Sequence, residues 1–545
     1  MKSLSSLAVV VVFAGCSTLP PAPGDDAGVV EDGGAEDAGV VVDAGRCDIP
    51  ASTEAGVITT ATGTVRGVLE NSVWAFRGIP FAEPPVGELR FRAPEPTCWS
   101  GVRDAGTFGA MCTQVNFLDD GGSELVGQED CLTLNVWSPA DAGASAKPVL
   151  FFIHGGGNQS GSTSGNRGGV VLYEGGALAG HEDAVVVTTQ YRLGPLGFMA
   201  RASLQNDAGV GNYGLLDQQA ALRWVRDNIA AFGGDPTHVM VFGESAGALD
   251  TCSQLASPGA AGLFAAAGVE SGACIADTTA NRFTQAEPFV MRAGCLGASD
   301  EAACLRSVDA GVLMQGLDPI FSEGFVTPLW GATIDGVTLV EHPLEALRAG
   351  RGNRVPTLVG SNADEASITS PTVVTPAMVS ALFDRFQEPL KSQLLALYPP
   401  GMTNMEARRS YIAAATDSQF TCNARRLARA VSPFQPTFRY FFDHHLPGAQ
   451  GTYLGAFHGV ELFYVFRALE RSPLAAQATV GDRFVIDYTG ASWSSLARTG
   501  DVNGQGRTPW PRSTGNDQLM IISPTPMAQN GIREAECNVW DQLRP

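Results

Sequence analysis

The segment Gly243-Glu244-Ser245-Ala246-Gly247 follows a strand-like run, His238-Val239-Met240-Val241-Phe242, and leads into a helix-like stretch that begins at Ala246. A serine between two glycines at such a point fits a sharp strand-to-helix turn, because glycine lets the neighbouring chain approach closely. The turn would hold the Ser245 hydroxyl beside the first N–H groups of the helix, where the helix dipole favours negative charge. The pattern predicts a nucleophilic serine, although a chain with 64 glycines also allows a simple Gly-Ser turn.

A second glycine-rich segment lies upstream, after a predicted buried strand. Lys147-Pro148-Val149-Leu150-Phe151-Phe152-Ile153 is rich in β-branched and aromatic residues and runs into His154-Gly155-Gly156-Gly157. Successive glycines let backbone N–H groups point inward without a Cβ in the way. A flexible glycine loop could have the same sequence. The position of the segment ahead of the serine turn instead indicates an oxyanion hole of the lipase and esterase type.

Further motifs continue in one order from about Thr59 to the C-terminus. They are Phe76-Arg77-Gly78-Ile79-Pro80-Phe81-Ala82, Glu129-Asp130-Cys131-Leu132-Thr133-Leu134-Asn135-Val136, Tyr191-Arg192-Leu193-Gly194-Pro195-Leu196-Gly197-Phe198, Gly211-Asn212-Tyr213-Gly214-Leu215-Leu216-Asp217-Gln218, Phe232-Gly233-Gly234-Asp235-Pro236 and Trp510-Pro511. With them the chain resembles the type-B carboxylesterases, the α/β-hydrolase family that includes the cholinesterases and para-nitrobenzyl esterases. The resemblance implies one large catalytic α/β-hydrolase domain, in which helices flank a mostly parallel central sheet.

The general base must be a histidine that follows Ser245, since α/β-hydrolases carry their catalytic groups in the order Ser, acid, His. The candidates are His342, His444, His445 and His458. The first lies on a predicted surface loop, and the adjacent pair ends a predicted strand. The last lies in Gly455-Ala456-Phe457-His458-Gly459-Val460-Glu461-Leu462, which resembles the family segment that carries the base. We therefore predict His458 as the base.

The triad acid is expected after another predicted strand, Val355-Pro356-Thr357-Leu358-Val359-Gly360, which runs into Ser361-Asn362-Ala363-Asp364-Glu365-Ala366. Sites in α/β sheets form just past the carboxyl ends of strands. The resemblance assigns the acid to Glu365. Because Ala366 replaces the usual glycine, the neighbouring Asp364 remains an alternative.

The resemblance also assigns the oxyanion-hole donors, which are the backbone N–H groups of Gly156, Gly157 and Ala246. Asn158 follows the third glycine, where the family usually has an aromatic residue, so the shape of the acyl or alcohol pocket stays open. Glu244 resembles an acid that supports the histidine. The alternative interpretation of Glu244 is a polar residue at a helix start.

The N-terminus predicts export. Residues 1–16 combine a positive end, a short apolar run and a small-residue cleavage site, and the run is too short to span a bilayer. Cys16 resembles the lipidated cysteine of a bacterial lipobox, although Phe13 replaces the usual leucine, and an ordinary secretory signal is the alternative. Residues 17–45 contain acids but no Lys or Arg and predict a disordered tether before the catalytic domain at 46–545. We expect a membrane-anchored lipoprotein, periplasmic or at the cell surface, or otherwise a secreted protein.

Cysteine usage agrees with export. The chain has 11 cysteines, and setting Cys16 aside leaves ten, an even number that suits a disulfide framework. The resemblance implies the pairs Cys112–Cys131, Cys295–Cys304 and Cys422–Cys537. The four cysteines left over then suggest Cys47–Cys98 and Cys252–Cys274.

The charge of the chain limits its partners. A net charge of -21 and a pI near 4.7 argue against nucleic acid and against electrostatic binding to anionic lipid. Neither a dinucleotide-binding G-x-G-x-x-G nor a metal-ligand cluster stands out, so we expect no cofactor and no metal. The expected partner is a small-molecule ester, with membrane contact only through the lipid anchor.

Together these residues predict a serine ester hydrolase in which Ser245 forms an acyl-enzyme, His458 transfers the proton and Glu365 orients His458. One alternative is a catalytically inactive adhesion protein of the neuroligin type, but such proteins have usually lost the serine or the histidine. The other is a lipase, which needs a hydrophobic lid that we do not identify. The Thr113–Asp130 loop contains no tryptophan, so the cation–π contact of cholinesterases is missing and neutral short- to medium-chain esters are expected.

Overall fold

The computed structural model of the protein describes residue 47 and residues 52–117, 122–140, 146–322, 325–326 and 330–543. The predicted signal peptide, the lipidation site Cys16 and the predicted tether lie outside the described residues. The described residues from Cys47 onward form one compact unit. Among the helices that the structure describes, none has the length and apolarity needed to cross a membrane.

An eleven-stranded mixed sheet forms the centre of this unit. Its strands in chain order are β1 (Val68–Glu70), β2 (Val73–Pro80), β3 (Thr133–Pro139), β4 (Lys147–Ile153), β5 (Val185–Thr189), β6 (Gly234–Glu244), β7 (Ala266–Glu270), β8 (Thr357–Asn362), β9 (Thr437–Phe442), β10 (Gln518–Ile522) and β11 (Met527–Asn530). Their spatial order is β11-β10-β9-β8-β7-β6-β4-β5-β3-β2-β1. The seven strands β4 to β10 are parallel to one another, and antiparallel strands complete both edges.

Helices and small sheets of two or three short strands lie outside the central sheet. The α-helices are α1 (Gly176–Glu182), α2 (Gly194–Phe198), α3 (Tyr213–Asn228), α4 (Ala246–Ala256), α5 (Thr279–Arg292), α6 (Glu301–Ser307), α7 (Ala310–Met314), α8 (Pro343–Arg348), α9 (Pro376–Leu382), α10 (Leu390–Leu397), α11 (Asn404–Thr416), α12 (Cys422–Val431), α13 (Ala449–Leu454), α14 (Leu462–Val465), α15 (Val480–Thr499) and α16 (Glu534–Trp540). The short strands outside the central sheet are Val57–Thr59, Thr64–Arg66, Val102–Asp104, Gln114–Phe117, Ser123–Val126, Asn166–Arg167, Val170–Val171, Asp277–Thr278, Phe321–Ser322, Phe325–Val326 and Thr333–Ile334. The predicted α/β-hydrolase architecture is thus confirmed.

Strand β4 shows why the sheet lies at the centre of the core. Every residue of this strand is buried. Val149, Phe151 and Ile153 belong to one hydrophobic cluster, whereas Leu150 and Phe152 belong to another. Since successive side chains of a strand point to opposite faces, the two clusters lie on the two faces of the sheet. A strand covered on both faces needs a continuous apolar run, which this segment has.

Five disulfides link segments of this unit. They are Cys47–Cys98, Cys112–Cys131, Cys252–Cys274, Cys295–Cys304 and Cys422–Cys537, the five pairs that the sequence leads us to expect. The third pair joins α4 to the chain that follows β7, next to the serine turn. The last pair ties the C-terminal helix α16 to α12.

Candidate active site

Ser245 lies on a tight turn between β6 and α4, with φ 58° and ψ -121°. A positive φ is uncommon for a residue that carries a Cβ, and such strain is frequent at functional sites. The Ser245 N–H donates to the carbonyl of Glu270 at 3.0 Å. A Cβ on Gly243 would lie 2.4 Å from the Gly247 backbone, and a Cβ on Gly247 would lie 2.0 Å from the carbonyl oxygen of Ile153. Both glycines are therefore required by the packing of this turn.

The predicted oxyanion segment packs against the serine turn. A Cβ on Gly155 would lie 2.8 Å from the Cβ of Ser245, so only a glycine fits there. Gly156 and Gly157 follow with φ 114° and φ 62°, the left-handed region that glycine adopts freely. Ala246 is the first residue of α4, where a helical N–H has no partner within its own helix. The glycine segment therefore packs against Ser245 at Gly155, and α4 begins directly after Ser245.

His458 pairs with Glu365. The imidazole Nδ1 lies 2.7 Å from Glu365 Oε2, and the His458 N–H donates to the Glu365 carbonyl at 3.2 Å. The other carboxylate oxygen of Glu365 accepts the Asn362 N–H at 2.7 Å, which fixes its orientation. Asp364, the alternative acid, instead accepts the Ala456 N–H at 3.0 Å. Of the two candidate acids, Glu365 is the one that contacts the imidazole.

The other edge of the imidazole faces the serine turn. His458 Nε2 lies 3.2 Å from Oε1 of Glu244, the residue that directly precedes Ser245. Phe420 packs on the imidazole, with the two ring centroids 4.9 Å apart. Phe420 belongs to a π-helical turn, Asp417–Thr421, a local widening that is frequent at functional sites. Glu244, Glu365 and Phe420 together leave the imidazole little freedom to rotate.

Two of the three remaining histidine candidates contact groups outside this site. His444 Nε2 lies 2.9 Å from Asp482 Oδ1, and His445 Nδ1 lies 2.8 Å from the carbonyl oxygen of Leu446. His342 precedes α8, and burial lowers its pKa. Within the described ranges, no group of three or more His, Cys, Asp or Glu side chains is arranged to hold a metal ion.

Comparison with known proteins assigns the family. A family model described as "Carboxylesterase family" matches residues 54–540 of the chain. The chain belongs to this family. Para-nitrobenzyl esterase of Bacillus subtilis (strain 168) is 36% identical over 449 residues, which cover 80% of this chain and 88% of that protein. Carboxylesterase 3 of Homo sapiens is 33% identical over 514 residues, which cover 86% of each. As a member of the family, the protein is a carboxylic ester hydrolase.

A solved structure agrees with the sequence relatives. A PNB esterase superposes on this carboxylesterase with a TM-score of 0.76 and 34% sequence identity, and the match covers 90% of this chain and 100% of that chain. A second structure, of a thermophylic PNB esterase, has a TM-score of 0.75 with 33% identity, and the match covers 89% of this chain and 100% of that chain. The likeness therefore extends over nearly the whole catalytic unit.

Two further buried carboxyl groups, those of Glu270 and Glu461, lie close enough to Glu244 to interact with its charge, and the sequence analysis gave neither of them a role. The buried carboxyl groups are those of Glu244, Glu270, Glu365 and Glu461. The indole N–H of Trp493 donates to Glu270 Oε1 at 2.5 Å, and the Asn362 amide donates to Glu461 Oε2. Two signals were present in the sequence. Glu270 ends an apolar strand, and Glu461 lies three residues after His458.

The carboxyl groups set the protonation of the esterase site. Burial alone would lower the pKa of His458, but the nearby charges of Glu244 and Glu365 outweigh it and raise that pKa to about 9. Burial raises the pKa of Glu244 to about 7 and that of Glu270 to about 8, and raises the pKa of Glu461 well above its usual range. This environment favours the imidazolium, the form that a catalytic histidine reaches when it takes the serine proton.

Proposed function

We propose that this carboxylesterase hydrolyses neutral short- to medium-chain esters through an acyl-enzyme on Ser245. In the acylation step His458 takes the Ser245 proton while the oxygen attacks the ester carbonyl. His458 then returns the proton to the departing alcohol. Glu365 holds His458 in the tautomer whose Nε2 carries the acceptor lone pair. Water repeats the cycle and releases the acid.

The observation that carries this proposal is the position of His458. Glu365 accepts from Nδ1 at 2.7 Å, so in the neutral form that acts as the base the acceptor lone pair lies on Nε2. That nitrogen is 3.2 Å from the Glu244 carboxylate, beside the residue proposed as nucleophile. The proposed oxyanion donors, Gly156, Gly157 and Ala246, lie on the two elements that flank Ser245. Glu244 in this account supports the imidazolium.

The preference for neutral esters is inferred from the sequence of the loop between Cys112 and Cys131. The sequence of this loop has no tryptophan that could hold a quaternary ammonium group, which favours neutral esters. A panel of para-nitrophenyl esters of increasing acyl length, run beside Ser245→Ala, tests both parts of the proposal. We expect rates that fall toward the long acyl chains and a loss on the order of 10⁴ to 10⁶ in kcat for Ser245→Ala. Rates that keep rising to long chains would indicate a lipase.

We also propose that the protein is exported and anchored by a lipid on Cys16. The five disulfides support export, because disulfides persist in oxidising compartments. The lipobox-like sequence around Cys16 supports the anchor. A secreted protein without lipid is the alternative.

A further inference from the structure

Asn158 extends the left-handed stretch of the oxyanion segment by one residue. It directly follows Gly157, has φ 57° and is fully buried. This conformation is unfavourable for a residue with a Cβ, although asparagine tolerates it better than most. Such a residue keeps a left-handed conformation when its surroundings hold it there.

Asn158 has hydrogen-bond contacts with three residues. Its amide Nδ2 donates to Asp250 Oδ1 at 3.0 Å, and its Oδ1 lies 3.2 Å from the hydroxyl of Tyr191. Its backbone carbonyl accepts the Gly194 N–H at 2.6 Å. The second oxygen of Asp250 accepts from the Gln218 amide at 2.6 Å. Each oxygen of the buried Asp250 carboxylate therefore has one N–H donor.

Asp250 connects α4 to the loop that contains Asn158. It belongs to α4, one turn after Ala246, and its side chain is 1% exposed. The Asp250–Asn158 bond therefore joins the helix that carries one proposed oxyanion donor to the loop that carries Gly156 and Gly157. A buried carboxylate is costly unless it is hydrogen-bonded, so this link is held firmly.

We propose that Asp250, acting through Asn158, is a positioning residue that sets the oxyanion loop relative to α4. The proposal rests on the oxyanion hole proposed above. A displacement of about 1 Å at a catalytic centre can cost roughly 100-fold in rate, and loss of one oxyanion donor costs roughly 10² to 10³ in kcat. A link that fixes this spacing acts on the transition state far more than on substrate binding.

The alternative is that the pair only fills space. A cavity of about 20 Å³, room for about one water, borders both residues and is also lined by Ser253 and Trp330. The Ser253 hydroxyl donates to the Leu249 carbonyl of its own helix at 3.0 Å. Ser253→Ala therefore alters the same cavity wall without touching the link and is the matched control.

The test compares Asp250→Asn, Asn158→Gly, the double variant and Ser253→Ala, with para-nitrophenyl acetate as substrate. Asn158 and Gln218 donate to different oxygens of Asp250, and an asparagine keeps an oxygen at only one of these two positions, so it loses one of the two bonds. A glycine at 158 keeps the left-handed backbone and removes only the side chain.

We expect each variant of the link to lower kcat by roughly tenfold or more with little change in KM. The double variant should lose no more than the more damaging single change, because both remove one link. Ser253→Ala should match wild type.

Two controls keep the outcome unambiguous. Circular dichroism and thermal melting identify a variant that fails to fold, and the other single variant of the link then carries the test. Additive losses in the double variant, or a loss that appears in KM alone, would overturn the positioning role. If Ser245→Ala is inactive while Asp250→Asn keeps wild-type kcat, only this inference fails. An active Ser245→Ala would refute the proposed function itself.

Discussion

Replacing Glu365 by glutamine should disable the esterase by changing the tautomer of His458. Glu365 accepts one N–H from Asn362 and one from His458, each at 2.7 Å. A glutamine has one oxygen and one NH₂ group in the same space. If its oxygen stays on the Asn362 N–H, its NH₂ group faces Nδ1. The imidazole then carries its proton on Nε2 and cannot accept one from Ser245.

The expected loss is on the order of 10⁴ in kcat/KM, the size seen when a triad carboxylate is changed to its amide elsewhere. That factor corresponds to about 5.5 kcal/mol of transition-state stabilisation. Asp364→Asn is the matched control one residue away. Asp364 accepts the Ala456 N–H, which an asparagine oxygen can also accept, so this variant should stay near wild type.

The assay is steady-state hydrolysis of para-nitrophenyl butyrate by wild type, Glu365→Gln and Asp364→Asn, with circular dichroism to show that each variant is folded. A Glu365→Gln enzyme that keeps a tenth or more of wild-type kcat/KM would refute the tautomer argument. A larger loss for Asp364→Asn than for Glu365→Gln would move the acid to position 364.

Three further outcomes are expected. Glu244→Gln removes a carboxylate that raises the pKa of His458, so the acidic limb of the kcat/KM–pH profile should move to lower pH, and an unmoved limb would show that Glu244 does not act on the base. Neutral esters should have a higher kcat/KM than choline esters of the same acid. The negative charge of the chain attracts cations only over about 8 Å at physiological salt, whereas a cation–π contact can be worth about 2 kcal/mol, so the missing contact outweighs the attraction. A preference for choline esters would reveal an aromatic outside the Cys112–Cys131 loop in that role. Cys16→Ser should convert a detergent-extracted protein into an uncleaved or soluble one, since an acyl anchor gains about 0.8 kcal/mol per buried CH₂, and an unmodified mature N-terminus elsewhere would exclude the lipoprotein.

The sheet and the serine turn were predictable because their determinants are local. The apolar run of β4 matches its bounds, Lys147–Ile153, and the run at 238–242 lies inside the longer β6, Gly234–Glu244. Two glycines beside Ser245 are demanded by contacts that any strand-to-helix turn of this kind makes. The strand before Glu365 was expected at 355–360 and runs from Thr357 to Asn362, a shift of two residues.

The surroundings of His458 were less predictable because they depend on tertiary packing. Glu270 ends β7 and Glu461 directly precedes α14, and only tertiary packing buries both of them near Glu244. Asn158 and Asp250 are 92 residues apart, so their hydrogen bond leaves no local sequence pattern. The π-helical turn that places Phe420 on the imidazole has no recognisable signature in Asp417–Thr421.

The central claim is that Ser245 is the residue that becomes acylated, and covalent labelling tests it most directly. The purified protein is treated with a fluorophosphonate, digested and mapped by mass spectrometry, with Ser245→Ala and His458→Ala treated in parallel. The account predicts one adduct on the peptide that contains Ser245, its absence in Ser245→Ala and its slow formation in His458→Ala. An adduct on another residue of the wild-type protein would contradict the claim. So would a Ser245→Ala variant that still has esterase activity and loses that activity when the label binds.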